Sequence, residues 1–421
     1  MVRRMENFNE IINRYNTNSC KWDECKEKCG KDVLQLAVAD MDFKSPKEIL
    51  EKMFEIVKHG IFGYTMLPKT YFDSIVNWYS KRYNWDIKKE WILYSPRVGI
   101  GVSLIIKNMT EIGDSIIMLT PAYPPLKDAI VKNNRKLIEV PLILENNKYV
   151  IDFKNLEKSI EKNTKIFLLC NPHNPTGRVF NKLELEKIVD FCDKNNLLIV
   201  SDEIHCDLIF NPNKHIPIGM LEKAKERSII CSSITKTFNV PGVITSNLII
   251  PNFEIREHMK KILDVAMIHN PNIFAAGITE VAYNECEYWL EEVINYIFNN
   301  RLFLKKYLEV NFPKLKLIDA EGTYLAWIDF RKLGLDDKEL ESLFINKCNV
   351  NVYIGEHFGE VGKGFIRVNL ATPKENIEKF LKSIALCLVL MREAAVLSAQ
   401  RAAYFLPHAG QSLDLQEILN L

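Results

Sequence analysis

The chain has 421 residues, 26% of them charged, and a formal net charge of +1. This near-neutral charge gives no electrostatic basis for binding nucleic acid or an anionic membrane. The length exceeds the ~250–300 residues that one hydrophobic core usually supports, and the longest strongly apolar run, 384–391, is far shorter than the ~20 residues of a transmembrane helix. Residues 1–7 are polar and lack a signal-peptide core. We therefore expect a multi-domain cytoplasmic protein.

Apolar strand-like runs alternate with amphipathic helical stretches through the first two thirds of the chain. The predicted strands lie at 115–119, 137–140, 166–169, 197–201, 228–231 and 246–250. This alternation predicts an α/β fold with a mostly parallel sheet. A long helical region is then expected over 274–310. It leads to a smaller α/β domain with predicted strands at 315–318, 323–328 and 365–369.

These patterns divide the chain into segments. We predict an N-terminal arm with part of the small domain over 1–47, a large cofactor-binding domain over 48–287 and a small C-terminal domain over 288–391. Residues 392–421 form an atypical tail, because no lysine follows Lys382 and the segment is rich in alanine. Its composition favours a non-native extension over an appended amphipathic helix.

Three predicted strands are each followed by a polar residue, and one binding site could use all three of these residues. Asn174 follows the strand at 166–169, Asp202 ends the apolar run at 197–201, and Lys236 follows the strand at 228–231. Open α/β sheets present functional groups at the carboxyl ends of their strands. A partly desolvated lysine can hold an aldehyde as a Schiff base, and a carboxylate facing a pyridinium nitrogen keeps the ring an electron sink. The set indicates pyridoxal 5'-phosphate.

Each of these residues also has a structural interpretation. Asp202 could cap a helix, Asn174 could form a turn, and His205 could be a hydrogen-bonded core imidazole. Tyr64 and Tyr123 could be half-buried aromatics, and Arg367 a surface charge. The order of the motifs along the chain favours the cofactor.

Several ordered motifs carry a family resemblance. NPHNPTG at 171–177, SDEIH at 201–205, the serine-rich segment around Lys236 and GFIRVN at 364–369 resemble fold-type I, class I/II aminotransferase-like pyridoxal-phosphate enzymes. Further segments narrow the resemblance to the MalY/PatB-type cystathionine β-lyases: VADMDF at 38–43, FGYT at 62–65, KTFN at 236–239 and GTYLAWIDF at 322–330. The similarity covers about residues 7–388. It implies the fold-type I architecture, with a large and a small α/β domain.

The resemblance also implies residue roles. Lys236 would bind the cofactor covalently and shuttle the substrate's α-proton, while Asp202 would pair with the pyridinium nitrogen. Asn174 would hydrogen-bond the ring 3-oxygen, and Tyr123 would stack on the ring. Arg367 would grip the substrate carboxylate as a planar fork.

Other implied roles concern the phosphate and the assembly. Tyr64 matches a catalytic-site tyrosine that reaches the phosphate from the neighbouring subunit, which requires a homodimer with shared active sites. His205 would contact the cofactor. The phosphate cradle would consist of the backbone amides of Val98 and Gly99, at a helix expected to begin near Ile100. The hydroxyls of two further residues would complete it, namely Ser233 and Thr235.

The sequence departs from the family pattern at the cradle. Arg97 stands where the family usually has glycine, so either a cation is added near the phosphate or the turn is rebuilt. Ile244 stands where aminotransferases place a phosphate-binding arginine, eight residues after the lysine, and no arginine occurs at 228–255. His205 replaces a tyrosine common in aminotransferases. The last two departures favour a lyase.

The resemblance implies carbon–sulfur β-elimination from L-cystathionine or a related β-thio amino acid, giving homocysteine or another thiol with pyruvate and ammonia. Three alternatives stay open: an aminotransferase, a cysteine desulfhydrase that differs in its preferred leaving group, and a regulatory protein that retains the fold.

The ten cysteines are expected to be reduced. The spacing of Cys20, Cys25 and Cys29 does not match a zinc or iron–sulfur motif, so no metal is predicted and exposed thiols are expected there. Four further cysteines lie in apolar contexts and are expected to be small core residues, namely Cys170, Cys192, Cys206 and Cys231.

Overall fold

The computed structural model describes residues 6–405, with side chains described through residue 390. The strands are β1 Leu34–Gln35, β2 Ile92–Ser95, β3 Ser115–Thr120, β4 Lys136–Glu145, β5 Lys148–Ile151, β6 Thr164–Cys170, β7 Leu198–Asp202, β8 Ser228–Ser232, β9 Ser246–Ile249, β10 Lys316–Leu317, β11 Leu325–Asp329, β12 Val350–Asn351, β13 Tyr353–Ile354 and β14 Phe365–Asn369. The helices are α1 Asp23–Cys29, α2 Lys47–His59, α3 Lys69–Tyr83, α4 Val98–Met109, α5 Pro124–Val131, α6 Phe153–Ser159, α7 Lys182–Lys194, α8 Glu222–Lys225, α9 Ile234–Thr237, α10 Phe253–Val265, α11 Ala275–Glu285, α12 Glu287–Asn311, α13 Asp337–Ser342 and α14 Lys374–Phe405.

The largest sheet has eight strands in the order β2-β9-β8-β7-β6-β3-β4-β5. The five strands from β8 to β4 are mutually parallel, whereas β9 runs antiparallel to β8 and β2, and β5 antiparallel to β4. The predicted α/β fold with a mostly parallel sheet is thus confirmed. All six strands expected in this region are present.

The large sheet separates two apolar cores. In β6, Phe167 and Leu169 belong to one core and Ile166 and Leu168 to the other. Successive side chains of a strand point to opposite faces, so a continuous apolar run is required where helices cover both faces. This burial holds the strands in register and therefore fixes where their carboxyl ends lie.

A second sheet, β10-β11-β14-β13, is antiparallel and uses residues from the last third of the chain. The N-terminal segment joins it indirectly, because β1 pairs in parallel with β12. The assignment of part of the small domain to residues 1–47 stays a prediction. The domain limits at 47, 287 and 391 stay a prediction.

The predicted helical region at 274–310 consists of α11 and α12, which meet at Cys286, whose backbone (φ −103°, ψ 11°) departs from helical geometry. The strand expected from Thr323 begins two residues later, at Leu325. Thr323 adopts a left-handed φ of 65°, which an extended strand does not permit.

The N-terminal cysteines also differ from expectation. Cys20 is exposed, but Cys25 is buried and its Sγ lies 3.5 Å from Sγ of Cys29. The exposed-thiol prediction was wrong for Cys25, because α1 has an inner face. All ten cysteines are free, and Cys170 is only partly buried.

The C-terminal tail is described only in part. Helix α14 continues to Phe405, and residues 406–421 of the predicted tail lie outside the described residues. Within residues 6–405, no helix combines the length and apolarity needed to cross a bilayer.

Candidate active site

The carboxyl ends of β6, β7 and β8 meet at one cavity of about 350 Å³. The register pairs Cys170 with Asp202 and Asp202 with Cys231, so the three strands end side by side. Most of the predicted site residues line this cavity: Lys236, Asp202, Asn174, Tyr123, His205, Val98, Gly99, Ser233 and Thr235. Arg367 and Tyr64 are not among the lining residues.

Lys236 lies in α9, a single helical turn directly after β8. Its Nζ donates a hydrogen bond to the carbonyl oxygen of Ala39, at 2.5 Å. Burial lowers the pKa of Lys236 to about 8, although the nearby Asp40 carboxylate opposes this shift. An amine with that pKa is partly neutral near physiological pH, which is the form that can attack a carbonyl carbon.

Asp202 ends β7 and is 5% exposed. Its Oδ1 accepts a hydrogen bond from the backbone amide of Ile204, at 3.1 Å. Burial raises the pKa of Asp202 to about 6, against the opposing effects of that hydrogen bond and of the Lys236 charge. A buried carboxylate of this kind would be strongly stabilised by a cationic partner in the cavity.

Asn174 and Arg367 form one unit. Arg367 Nη1 donates to Asn174 Oδ1 and its Nη2 donates to the Ala37 carbonyl, both at 2.9 Å. The guanidinium carbon lies 4.6 Å from the ring centre of Tyr353 and 5.0 Å from that of Phe358. Arg367 is thus held by Asn174, by the Ala37 carbonyl and by two aromatic rings. Because the Asn174 carbonyl is occupied, its amide Nδ2 is the group free to donate into the cavity.

His205 and Tyr123 form the aromatic part of the lining. His205 is 2% exposed and its Nδ1 has no hydrogen-bond partner among the described residues. Burial lowers the pKa of His205 to about 3, so the imidazole is neutral. Tyr123 precedes α5 and is held between Ala122 and two prolines. A neutral imidazole and a phenol ring both suit contact with a flat aromatic ligand.

The proposed phosphate cradle lies where α4 begins. The helix starts at Val98, two residues before the predicted Ile100, so the amides of Val98 and Gly99 belong to its first turn. Backbone amides in the first turn of a helix have no intrahelical acceptor and attract anions. The earlier start is possible because Arg97 is extended and serves as the N-cap.

The hydroxyls of the cradle are linked to each other. Ser233 Oγ donates to the carbonyl of Thr245 at 2.6 Å, accepts from the Thr235 amide at 3.1 Å and lies 2.8 Å from Thr235 Oγ1. Ser233 therefore caps α9, the turn that carries Lys236. Its position in the cavity depends on the same contacts that orient the lysine.

The sequence reasoning missed an ion cluster next to the lysine. Arg14 contacts both carboxylate oxygens of Asp40, at 2.7 and 3.1 Å, and Lys21 pairs with Asp42 at 2.8 Å. Burial favours a raised pKa for Asp40, but the hydrogen bonds and charges of Arg14 and Lys21 outweigh it and lower the pKa. The motif at 38–43 was noted only as part of a resemblance. No local feature of the sequence indicates that Asp40 and Asp42 pair with Arg14 and Lys21 of the N-terminal arm.

A second missed residue is Asp207, which is buried. Its Oδ2 accepts from Thr237 Oγ1 at 2.8 Å, and its Oδ1 accepts from Trp78 Nε1 at 3.1 Å and from the Tyr83 hydroxyl. Asp207 thereby anchors α9 to α3. The SDEIH motif ended two residues before it, so only its place after β7 could have suggested a role.

Tyr64 lies apart from the cavity of its own chain. It is fully exposed, in the segment between α2 and α3, beside a shallow depression lined by Ile61, Gly63 and Ile273. Its predicted role at the phosphate therefore requires a second chain.

Comparison with known proteins identifies the family. The model of the aminotransferase class I and II family matches residues 31–384. The cystathionine β-lyase PatB of Bacillus subtilis is 35% identical over 381 residues, which is 90% of this chain and 98% of PatB. Among solved structures, cystalysin from Treponema denticola, which contains pyridoxal 5'-phosphate, superposes with a TM-score of 0.90 at 37% identity and covers 92% of this chain and 100% of its own.

A pyridoxal-phosphate-bound protein from Clostridium difficile 630, assigned as an aminotransferase, superposes with a TM-score of 0.89 at 42% identity, covering 91% of this chain and 100% of its own. These similarities confirm the fold-type I architecture and the resemblance to PatB that the motifs indicated. The chain belongs to the class I and II aminotransferase family of fold-type I, pyridoxal-phosphate-dependent enzymes.

Proposed function

We propose that the protein is a carbon–sulfur β-lyase that converts L-cystathionine or a related β-thio amino acid to a thiol, pyruvate and ammonia. Pyridoxal 5'-phosphate, when bound, supplies the electron sink for the substrate's α-carbon. The observation that carries the proposal is the meeting of Lys236, Asp202 and Asn174 at one cavity. The relative PatB is named for this chemistry.

The proton chemistry is assigned to Lys236. Its lowered pKa makes the neutral amine available as a base near pH 8. The Ala39 carbonyl and the Asp207–Thr237 contact hold the turn that carries it. Lys236 would remove the α-proton, and loss of the thiolate from the β-carbon would leave an enamine that hydrolyses to pyruvate and ammonia.

Asp202 is assigned to the charge on the ring nitrogen, and Arg367 to the orientation of the substrate. The buried Asp202 carboxylate would keep a proton on the ring nitrogen, because a cation beside it relieves the cost of its burial. Arg367 is a rigid planar donor, fixed by Asn174 and Ala37, with its Nε still unpartnered among the described residues. A small shift of the guanidinium toward the cavity would allow it to bind the substrate carboxylate.

An aminotransferase is the second candidate, since the family includes such enzymes. Against it, Ile244 lines the cavity at the position where aminotransferases were expected to have an arginine. Transamination also needs a 2-oxo acid as amino-group acceptor, which β-elimination does not.

The deciding experiment is to incubate the purified protein with L-cystathionine and measure pyruvate, first without and then with an added 2-oxo acid. We expect pyruvate and thiol in equal amounts without the acceptor. L-Alanine serves as the matched control, because it has no β-leaving group. Rapid acceptor-dependent turnover of L-alanine, with no pyruvate from L-cystathionine, would identify an aminotransferase instead.

We further propose a homodimer with shared sites. Besides the fully exposed Tyr64, large apolar side chains in and around α2 are more than half exposed, namely Phe54, Val57, Ile61, Phe62 and Met66. A cluster of this kind is typical of a protein interface. The ten free cysteines support a reducing compartment, and hence the cytoplasm.

A further inference from the structure

Arg97 lies at the edge of the candidate active site, directly before α4. Its backbone is extended (φ −146°, ψ 147°) and it serves as the N-cap of the helix without a side-chain capping bond. It lines the same cavity as Val98, Gly99 and Thr235. Arg97 therefore stands next to the free amides that form the proposed phosphate cradle.

Among the described residues, the guanidinium of Arg97 has no partner. Within the described part of the chain, no carboxylate lies within 4.0 Å of it and no hydrogen bond engages it. Arg178, by contrast, is neutralised by Glu184 and Glu321, each at 2.6 Å. An unpaired cation beside a set of free amides is arranged to meet an anion.

The charge balance of the cavity points in the same direction. A phosphate monoester carries about −1.5 to −2 near pH 7, whereas a helix N-terminus contributes only about half a positive charge. Among the lining residues of the cavity, only Arg97 and Lys236 are lysine or arginine, and His205 is neutral because burial lowers its pKa to about 3. Lys236 is committed to the carbonyl chemistry. Arg97 is the remaining cation.

The lining segment that follows α9 supplies no cation. Ile244 lines the cavity with an apolar side chain. Its backbone has a left-handed φ of 54°, which a β-branched residue rarely adopts. Neither Ile244 nor its neighbours Val243 and Thr245 can be a cation.

We propose that Arg97 is the cationic ligand of the cofactor phosphate and supplies, from the N-cap of α4, the charge that Ile244 cannot. This inference rests on the proposed pyridoxal-phosphate function. It gives this chain a phosphate site with one cation on the α4 side of the cavity. The hydroxyls of Ser233 and Thr235 lie on the α9 side of the same cavity.

The test uses holoenzyme and follows the phosphate itself by ³¹P NMR against pH. A free phosphate monoester loses its second proton near pH 6, and a cation in contact lowers that pKa. The wild-type signal should therefore stay constant between pH 6 and 8. In Arg97→Gln the titration midpoint should rise by about one pH unit, while Arg97→Lys should stay close to wild type.

A second measurement is the cofactor dissociation constant from equilibrium dialysis of the holoenzyme at low and high salt. Arg97→Gln should weaken binding by about 10–100-fold, with a smaller salt dependence than wild type. The matched control is Arg331→Gln, an exposed arginine paired with Asp329 away from the cavity.

Unchanged ³¹P titration and unchanged affinity in Arg97→Gln would overturn the inference while leaving the proposed function intact. A wild-type protein that binds no pyridoxal phosphate would overturn both. If Arg97→Gln does not fold, the wild-type holoenzyme still decides, because a ³¹P signal that titrates near pH 6 would exclude a cation at the phosphate.

Discussion

Two regions of the molecule contribute to the proposed site in opposite ways. The loops after β6, β7 and β8 place Asn174, Asp202 and Lys236 on a base of parallel strands buried on both faces. The segment between α2 and α3 leaves Tyr64 fully exposed, with Phe62 exposed by 62%. A side chain held by sheet register is positioned by its own chain. A side chain that is fully exposed, as Tyr64 is, would gain its position from the second chain of the proposed homodimer.

This contrast predicts that changes in the first region destroy a single site, whereas changes in the second can be complemented between chains. The expected loss of activity is largest for substitution of Lys236 and smallest for substitution of Tyr64.

Lys236→Ala should have the largest effect, a loss of about 10³–10⁴-fold in pyruvate formation from L-cystathionine, because the base and the covalent anchor are removed together. Borohydride treatment should attach cofactor to wild type but not to the variant at this position. Lys132→Ala is the control, since Lys132 is a surface lysine paired only with Asp128. Retained turnover in Lys236→Ala would place the base elsewhere.

Asp202→Asn should lower turnover by about 10²–10³-fold, because a neutral amide cannot hold the proton on the ring nitrogen. Asparagine keeps the size of the side chain and an oxygen for the Ile204 amide. Steady-state kinetics of pyruvate release measures the effect. Turnover close to wild type would contradict the assigned role.

The same substitution should stabilise the apoprotein at alkaline pH. Burial raises the folded-state pKa of Asp202 from 3.8 to about 6, so the folded state binds this proton more tightly than the unfolded state does. The free energy of unfolding then falls as pH rises from about 4 to about 6. Denaturant titration should show Asp202→Asn to be more stable than wild type at pH 8, by on the order of 1–3 kcal/mol, and similar at pH 4. Equal stability at pH 8 would show that the carboxylate is not penalised by burial.

Arg367→Lys should raise KM for all amino-acid substrates by about 10–100-fold, because lysine keeps the charge but loses the planar fork. KM and kcat for L-cystathionine and a second β-thio amino acid are the measurements, and both substrates should be affected alike. An effect on one substrate only would assign Arg367 to the side-chain pocket.

Tyr64→Phe should have the smallest effect, about 10-fold, through loss of one hydrogen bond to a charged group. Mixing Tyr64→Phe with Lys236→Ala chains should restore activity, because a heterodimer contains one site with neither change. Sedimentation of each variant controls for assembly. A fully active monomer would contradict the shared site.

Most of the first region could be predicted from sequence because its signals are local. Apolar runs of four to six residues identify buried parallel strands, and the polar residue after each run marks the carboxyl edge of the sheet. The predicted start of α4 was two residues too late, because nothing in the sequence indicates that Arg97 is extended and serves as the N-cap. The helical region at 274–310 was predicted, whereas its division at Cys286 has no sequence signal.

The sequence by itself therefore determined the α/β class and the order along the chain of the strands that precede polar residues. It also predicted the lysine, carboxylate and amide of the candidate site. Only the tertiary structure decided their partners. Arg367 meets Asn174 across 193 residues, Arg14 meets Asp40 across 26, and Lys236 meets Ala39 across 197. Such contacts follow from how two sheets and an N-terminal arm pack together. No local pattern of hydrophobicity or turn chemistry encodes which distant charge will neutralise which, and for Arg97 no protein charge does so among the described residues.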